Sequence, residues 1–113
     1  MTIAKYIESH SHRTGKSFEL LVRVCKSLEE KEICIDSING ISYNRDPWVV
    51  GNKYISVHEV YRSNGTEENV TVKIDVLECD GERSGRRVGF VKVPKNASDK
   101  VIQKRISQVL QLM

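Results

Sequence analysis

On either side of Asn64-Gly65 lie two segments, "KYISVHEVYRS" and "TEENVTVKIDVLEC", in which apolar and polar residues alternate. Alternation with a period of two sends every second side chain to the same side of a pleated strand, and Asn-Gly adopts the positive φ values that a two-residue hairpin turn requires. No other stretch restricts the fold as much. With a two-residue loop, Ile55 faces Ile74, Val57 faces Val72 and Arg62 faces Glu67. Tyr54 then faces Asp75, Ser56 faces Lys73 and His58 faces Thr71, all on the opposite side. One side is apolar and the other polar, the pattern of an antiparallel sheet covered on a single face. A slip of one residue would turn the Ile/Val set toward water, so the pattern argues for this facing.

The flanking segments supply the cover. "TIAKYIES" places Ile3, Tyr6 and Ile7 at helical spacing after Thr2, which can cap. In "SFELLVRVCKSLEEK", Ser17 is a candidate cap, and Phe18, Leu21, Cys25 and Leu28 mark one helical face. At the carboxyl end, Asn96 or Ser98 caps a helix with an apolar stripe of Ile102, Ile106, Val109, Leu110 and Met113. Between these helices, "EICIDSI" and "ISY" flank a second Asn-Gly, Asn39-Gly40, and read as a short hairpin. Another strand follows in "RRVGFVKVP", where Val88 and Phe90 favour one facing and Val91 and Val93 the other; a bulge or burial on both faces reconciles them. The expected fold is α+β, an antiparallel β-meander of about four to five strands, with N-terminal helices and a C-terminal helix packed on one face. All 113 residues form one expected domain.

Composition narrows the function classes. With 39% apolar and 29% charged residues, the chain falls in neither the disordered nor the fibrous class. No stretch approaches the roughly 18 apolar residues that span a bilayer, and the amino end lacks the apolar region of a secretory signal, so a cytoplasmic location without membrane contact is expected. Cys25, Cys34 and Cys79 show no CxxC spacing and sit beside apolar residues, as reduced thiols in a core do. Charge is unevenly spread. Residues 1–80 carry 10 Lys/Arg against 13 Asp/Glu, whereas residues 81–113 carry 8 against 2. The basic end can steer an anionic partner.

Chemistry-bearing patterns are sparse. His10, His12 and His58 lack companion ligands at zinc spacing, so no metal is expected. Gly15-Lys16-Ser17 matches the end of a phosphate loop, but the first glycine of that pattern would fall at His10, and no strand precedes it. The cysteines have no histidine base at hand. Asp75, Glu59, Glu78 and Asp80 read as strand or turn carboxylates paired with Lys and Arg. The expectation is a protein that is not an enzyme and uses no cofactor.

The functional signal lies in "ECDGERSGRRVG", a bend rich in turn residues and arginines. Arg83, Arg86 and Arg87, with Lys92 and Lys95, form a candidate partner-binding set, since arginine reaches carboxylates and phosphates bidentately. Tyr54, His58 and Lys73 on the polar sheet face, and Trp48 in "NRDPWVVGN", extend it as anchors. The expected function is that of a small adaptor or inhibitor docking a partner protein with an acidic surface. The alternative is nucleic-acid binding along a duplex backbone. Phe90 reads as core, which leaves single strands no aromatic platform. Short edge strands such as "ISY" offer a further route, pairing with a partner's strand or with a second copy.

Overall fold

The computed structural model describes residues 3–13, 15–33, 35–42, 50–60, 71–80 and 85–113. Its elements, in chain order, are α1 (Ile3–Ser9), α2 (Lys16–Glu30), β1 (Ile35–Ile38), β2 (Ile41–Ser42), β3 (Lys53–Val60), β4 (Thr71–Glu78), β5 (Arg86–Val93) and α3 (Asp99–Leu112). The five strands form one sheet in the order β2-β1-β3-β4-β5. The α+β class and the placement of the helices are as expected.

The sheet is mixed rather than purely antiparallel, because β1 runs parallel to β3. The turn at Asn39-Gly40 explains how. Both residues have positive φ, 50° and 78°, which makes the tight hairpin that Asn-Gly favours. β2 therefore runs back antiparallel to β1. The chain is thus returned to the end where β1 began, and β3 enters on the other side of β1 in the same direction. A turn motif fixes the hairpin but not the side on which the next strand lands.

β3 and β4 pair antiparallel in a register two residues from the expected one. Ile55 lies opposite Val76 and Val57 opposite Ile74, while Tyr54 meets Leu77, Ser56 meets Asp75 and His58 meets Lys73. A two-residue offset leaves each side chain on its original face, so alternation cannot tell the two registers apart. Asn64-Gly65, Arg62 and Glu67 lie outside the described residues. The facing itself holds: Ile55, Val57, Val72, Ile74 and Val76 are all fully buried on the helix-covered side.

β5 resolves its two facings through a bulge. Val76 pairs with Gly89 and Leu77 with Arg87, so Val88 has no partner across the ladder. Val91 and Val93, opposite Ile74 and Val72, point into the core, while Val88 and Phe90 are exposed. Phe90 is not a core residue, contrary to the sequence reading.

The helices form a single layer on the core face, with α2 over β3 and β4 and α3 over β4 and β5. Phe18, Leu21, Cys25 and Leu28 are buried as their spacing predicts, joined by Leu20 and Val24. Ser17 is buried inside the first turn of α2 instead of capping it, and Gly15 takes the cap position. Ser98 does cap α3, its hydroxyl accepting from Val101 N–H at 3.3 Å. Of the expected α3 stripe, Ile102, Ile106 and Val109 are buried, while Leu110 and Met113 are exposed. Leu112 packs on the core in their stead. Removing Cβ at position 89 makes this fit, since a side chain there would press on Leu112 at 3.1 Å.

At the rim of the core, β3 presents a carboxylate. The side chain of Glu59 is 2% exposed and pairs with Arg13, from the α1–α2 connection, through two hydrogen bonds of 2.7 and 3.0 Å. Asn39 donates to the same carboxylate at 2.9 Å, and its carbonyl oxygen accepts from Glu59 N–H at 2.8 Å. Burial pushes the Glu59 carboxyl upward, but hydrogen bonds from Arg13 and Asn39, the Arg13 charge and Ser17 more than offset it. The group is held below its ordinary range. One buried charge thus ties the amino-terminal helices to the β1–β2 turn and to β3.

Candidate functional site

With the helices on one side, the other face of β3, β4 and β5 has no layer over it among the described residues. Its side chains follow from the register. Lys73 lies opposite Lys92, Asp75 opposite Phe90, and His58 beside Lys73. Phe90, of opposite parity to the core-facing Val91 and Val93, is 48% exposed. Three cations lie about its ring: Arg87 Cζ at 4.5 Å from the centroid, Lys73 Nζ at 4.6 Å and Lys92 Nζ at 5.9 Å. These distances are those of cation–π contact.

Asp75 organises the group. Its Oδ1 is 3.4 Å from Arg87 Nε and 3.6 Å from Lys73 Nζ, and its Oδ2 is 3.7 Å from His58 Nδ1. Oδ1 is buried and, among the described residues, accepts no hydrogen bond. Charge proximity to Asp75, with the cation–π contacts to Phe90, holds Lys73 and Arg87 there. Further along β5, Arg86 reaches Glu78 at 3.4 Å from an exposed position. The surface therefore has an aromatic centre, a cationic ring and one shared carboxylate.

The structure brings together Lys73, Arg87, Lys92 and His58 of the expected set, with Arg86 at the margin. Others stand apart. Lys95 lies between β5 and α3, in a cleft of about 240 Å³ lined by Lys16, Arg23 and Ala97, on the helical side. Lys100 and Lys104 belong to α3, so the basic end of the sequence is divided between two sides of the molecule. Trp48 and Arg83 lie outside the described residues.

Tyr54 has the outward parity of the open face yet is 4% exposed. A backbone hydrogen bond with Gly85 anchors its hydroxyl. Burial pushes that hydroxyl up, aided by the charge of Asp36 and opposed by the Gly85 contact. Tyr54 is thus a buried support beneath Gly85. Gly85 has no room for a side chain, because a Cβ would overlap the Tyr54 hydroxyl and lie 3.2 Å from the Glu78 carbonyl oxygen. Gly85→Ala should lower stability by about 1–3 kcal/mol. In urea titrations, adding Tyr54→Phe should restore part of that loss; an unchanged midpoint for Gly85→Ala alone would show that the approach is not tight.

Other reactive groups are occupied or quiet. Cys25 and Cys79 are buried free thiols, and Cys34 is outside the described residues. Burial, with the nearby charge of Glu29, pushes the Cys25 thiol up to about 12, so it stays protonated and a poor nucleophile. His10 stacks on Tyr6 at 4.2 Å and hydrogen-bonds its carbonyl oxygen at 2.9 Å. Among the described residues no group of three or more metal-binding side chains converges, and no helix is long and apolar enough to cross a membrane.

The Phe90 centre escaped sequence reasoning. The signal was present in Val91 and Val93, two β-branched residues sharing a parity that excludes Phe90 from the core side. No protein-family model, no curated protein and no solved structure matches the chain.

Proposed function

We propose that this chain is a non-catalytic binding protein, of adaptor or inhibitor type, that docks a partner protein with an acidic surface on its open sheet face. The observation that carries the reading is Phe90, an exposed aromatic enclosed by Lys73, Arg87 and Lys92. A central aromatic within a charged rim is the arrangement that interface hot spots favour. The cations supply steering and selectivity for an acidic partner. The same reading uses no cofactor and sets the chain in the cytoplasm, with which Cys25 and Cys79 as buried free thiols accord.

Docking by the face is favoured over strand addition at the edge. β2 and β5 are the outer strands; β2 is only two residues long, and β5 carries the Val88 bulge and the charged side chains of Arg86, Arg87 and Lys92, features that blunt edge pairing. Pairing of a second copy along β5 is disfavoured for the same reason.

The test compares wild type with Arg87→Ala/Lys92→Ala as bait in a host extract. Both residues are exposed, so the double variant should shift stability by less than about 1 kcal/mol. It should also lose the proteins that wild type retains. Salt separates this reading from nucleic-acid binding. A ligand neutralising three cations through phosphates should lose about 40-fold in affinity from about 50 to about 200 mM salt, at a slope near 0.9 per phosphate. A protein interface with an aromatic centre should lose several-fold less. Capture of nucleic acid alone, with that steep slope, would overturn the proposal.

A further inference from the structure

Given the protein-docking reading above, on which this rests, we infer that the group received at Phe90 is a phosphorylated side chain of the partner. Lys73 and Arg87 share a single carboxylate, Asp75, and Lys92 joins them at the Phe90 ring, so the cluster carries a surplus of two positive charges. Lys73 and Lys92 stand directly opposite each other across β4 and β5, and like charges in that position are destabilising. Among the described residues Lys92 has no carboxylate of its own. A single carboxylate from a partner would leave one charge uncompensated. A phosphoryl group carries about −1.5 to −2 at neutral pH and three acceptor oxygens, which matches the surplus.

Geometry favours a point-like anion over an extended one. Arg87 and Lys73 approach the same Asp75 oxygen, so their heads cannot be further apart than the 3.4 and 3.6 Å contacts laid end to end. Both also lie within 4.6 Å of one ring centroid. Cations gathered at one point suit one multiply charged group, whereas a nucleic-acid backbone needs them strung along a track. The ring is moreover already engaged by cations, so a base could stack on it only by displacing them. Lys73 is held in place, with its side chain 19% exposed, and little ordering remains to be done on binding.

The experiment titrates the isotopically labelled full chain with three probes while amide shifts are followed. One is an oriented peptide library fixed at phosphoserine, phosphothreonine or phosphotyrosine. The second is the same library with glutamate at the fixed position, and the third a single-stranded and a duplex oligonucleotide. The expected result is saturable shifts at Lys73, Phe90 and Lys92 with the phosphorylated library. The glutamate library should bind at least about 10-fold more weakly, and Arg87→Ala/Lys92→Ala, with its spectrum otherwise intact, should lose about 10-fold or more. Equal binding of the glutamate library would overturn the phosphoryl inference and leave the acidic-partner reading standing. Binding of oligonucleotides and of neither library would overturn both. Silence at these residues with every probe would overturn the phosphoryl inference.

Discussion

Arg13→Ala is expected to reduce the unfolding free energy by about 3–5 kcal/mol, the range for breaking a buried ion pair from one side. The asymmetry between the partners sets the size. Arg13 is 24% exposed at its side chain, whereas Glu59 is 2% exposed. Without Glu59, Arg13 can turn to water; without Arg13, the carboxylate stays buried beside the neutral Asn39 and Ser17, with the Arg13 charge gone. Arg13→Ala should therefore be the more damaging of the two single changes. Combining Arg13→Met with Glu59→Leu should recover much of the loss, because neither charge is then stranded.

Acid gives an independent check on the same pair. The Glu59 carboxyl is lowered from its ordinary 4.5 in the folded chain, so its ionised form favours folding. That contribution is fully present above 4.5 and is lost as pH falls below it through the folded value. Wild type should weaken over that interval. The deficit of Arg13→Ala should shrink there, since protonation neutralises the stranded carboxylate. Urea midpoints from neutral pH down to about pH 3 measure both. A deficit that stays constant with pH would place the effect of Arg13 in packing on Phe18, whose ring lies 4.9 Å from the guanidinium, and not in the ion pair.

A pair of truncations on neighbouring strands should differ widely although both remove large apolar groups. Ile74→Ala is expected to cost about 2–5 kcal/mol, the transfer and cavity penalty of a fully buried aliphatic. Phe90→Ala is expected to cost only about 1 kcal/mol, since the ring is half exposed and its cation contacts lie at the surface. A buried phenylalanine would cost about 3–5 kcal/mol. Thermal and chemical unfolding of both variants measures the difference. Comparable losses would mean that Phe90 faces the core and that the cationic cluster is not a surface feature.

These residues also show what was legible in the sequence. The facing of Ile55, Val57, Val72 and Ile74 followed from alternation alone, and the Asn39-Gly40 turn from its φ requirement. Register did not follow, because a shift by two preserves every facing. The parallel pairing of β1 with β3 depends on where the chain re-enters after a hairpin, which no local pattern encodes. Phe90 was misplaced because its ring was assigned to the core on hydrophobicity, whereas Val91 and Val93 take the core-facing parity. Tyr54 kept its parity yet lost its exposure, because the cover at Gly85 comes from a different strand connection. Arg13 and Glu59 are 46 residues apart and resemble ordinary surface charges until the fold joins them. The local signals thus located the open face, and long-range packing decided which side chains populate it.

The proposal that the outward side of β3, β4 and β5 is the docking surface is tested most directly by amide shift mapping with a purified captured partner. The expected result is perturbation concentrated at His58, Lys73, Phe90 and Lys92, with α2 and α3 unaffected. Perturbation confined to α2, α3 and the cleft at Lys95, with the open sheet face silent, would contradict it.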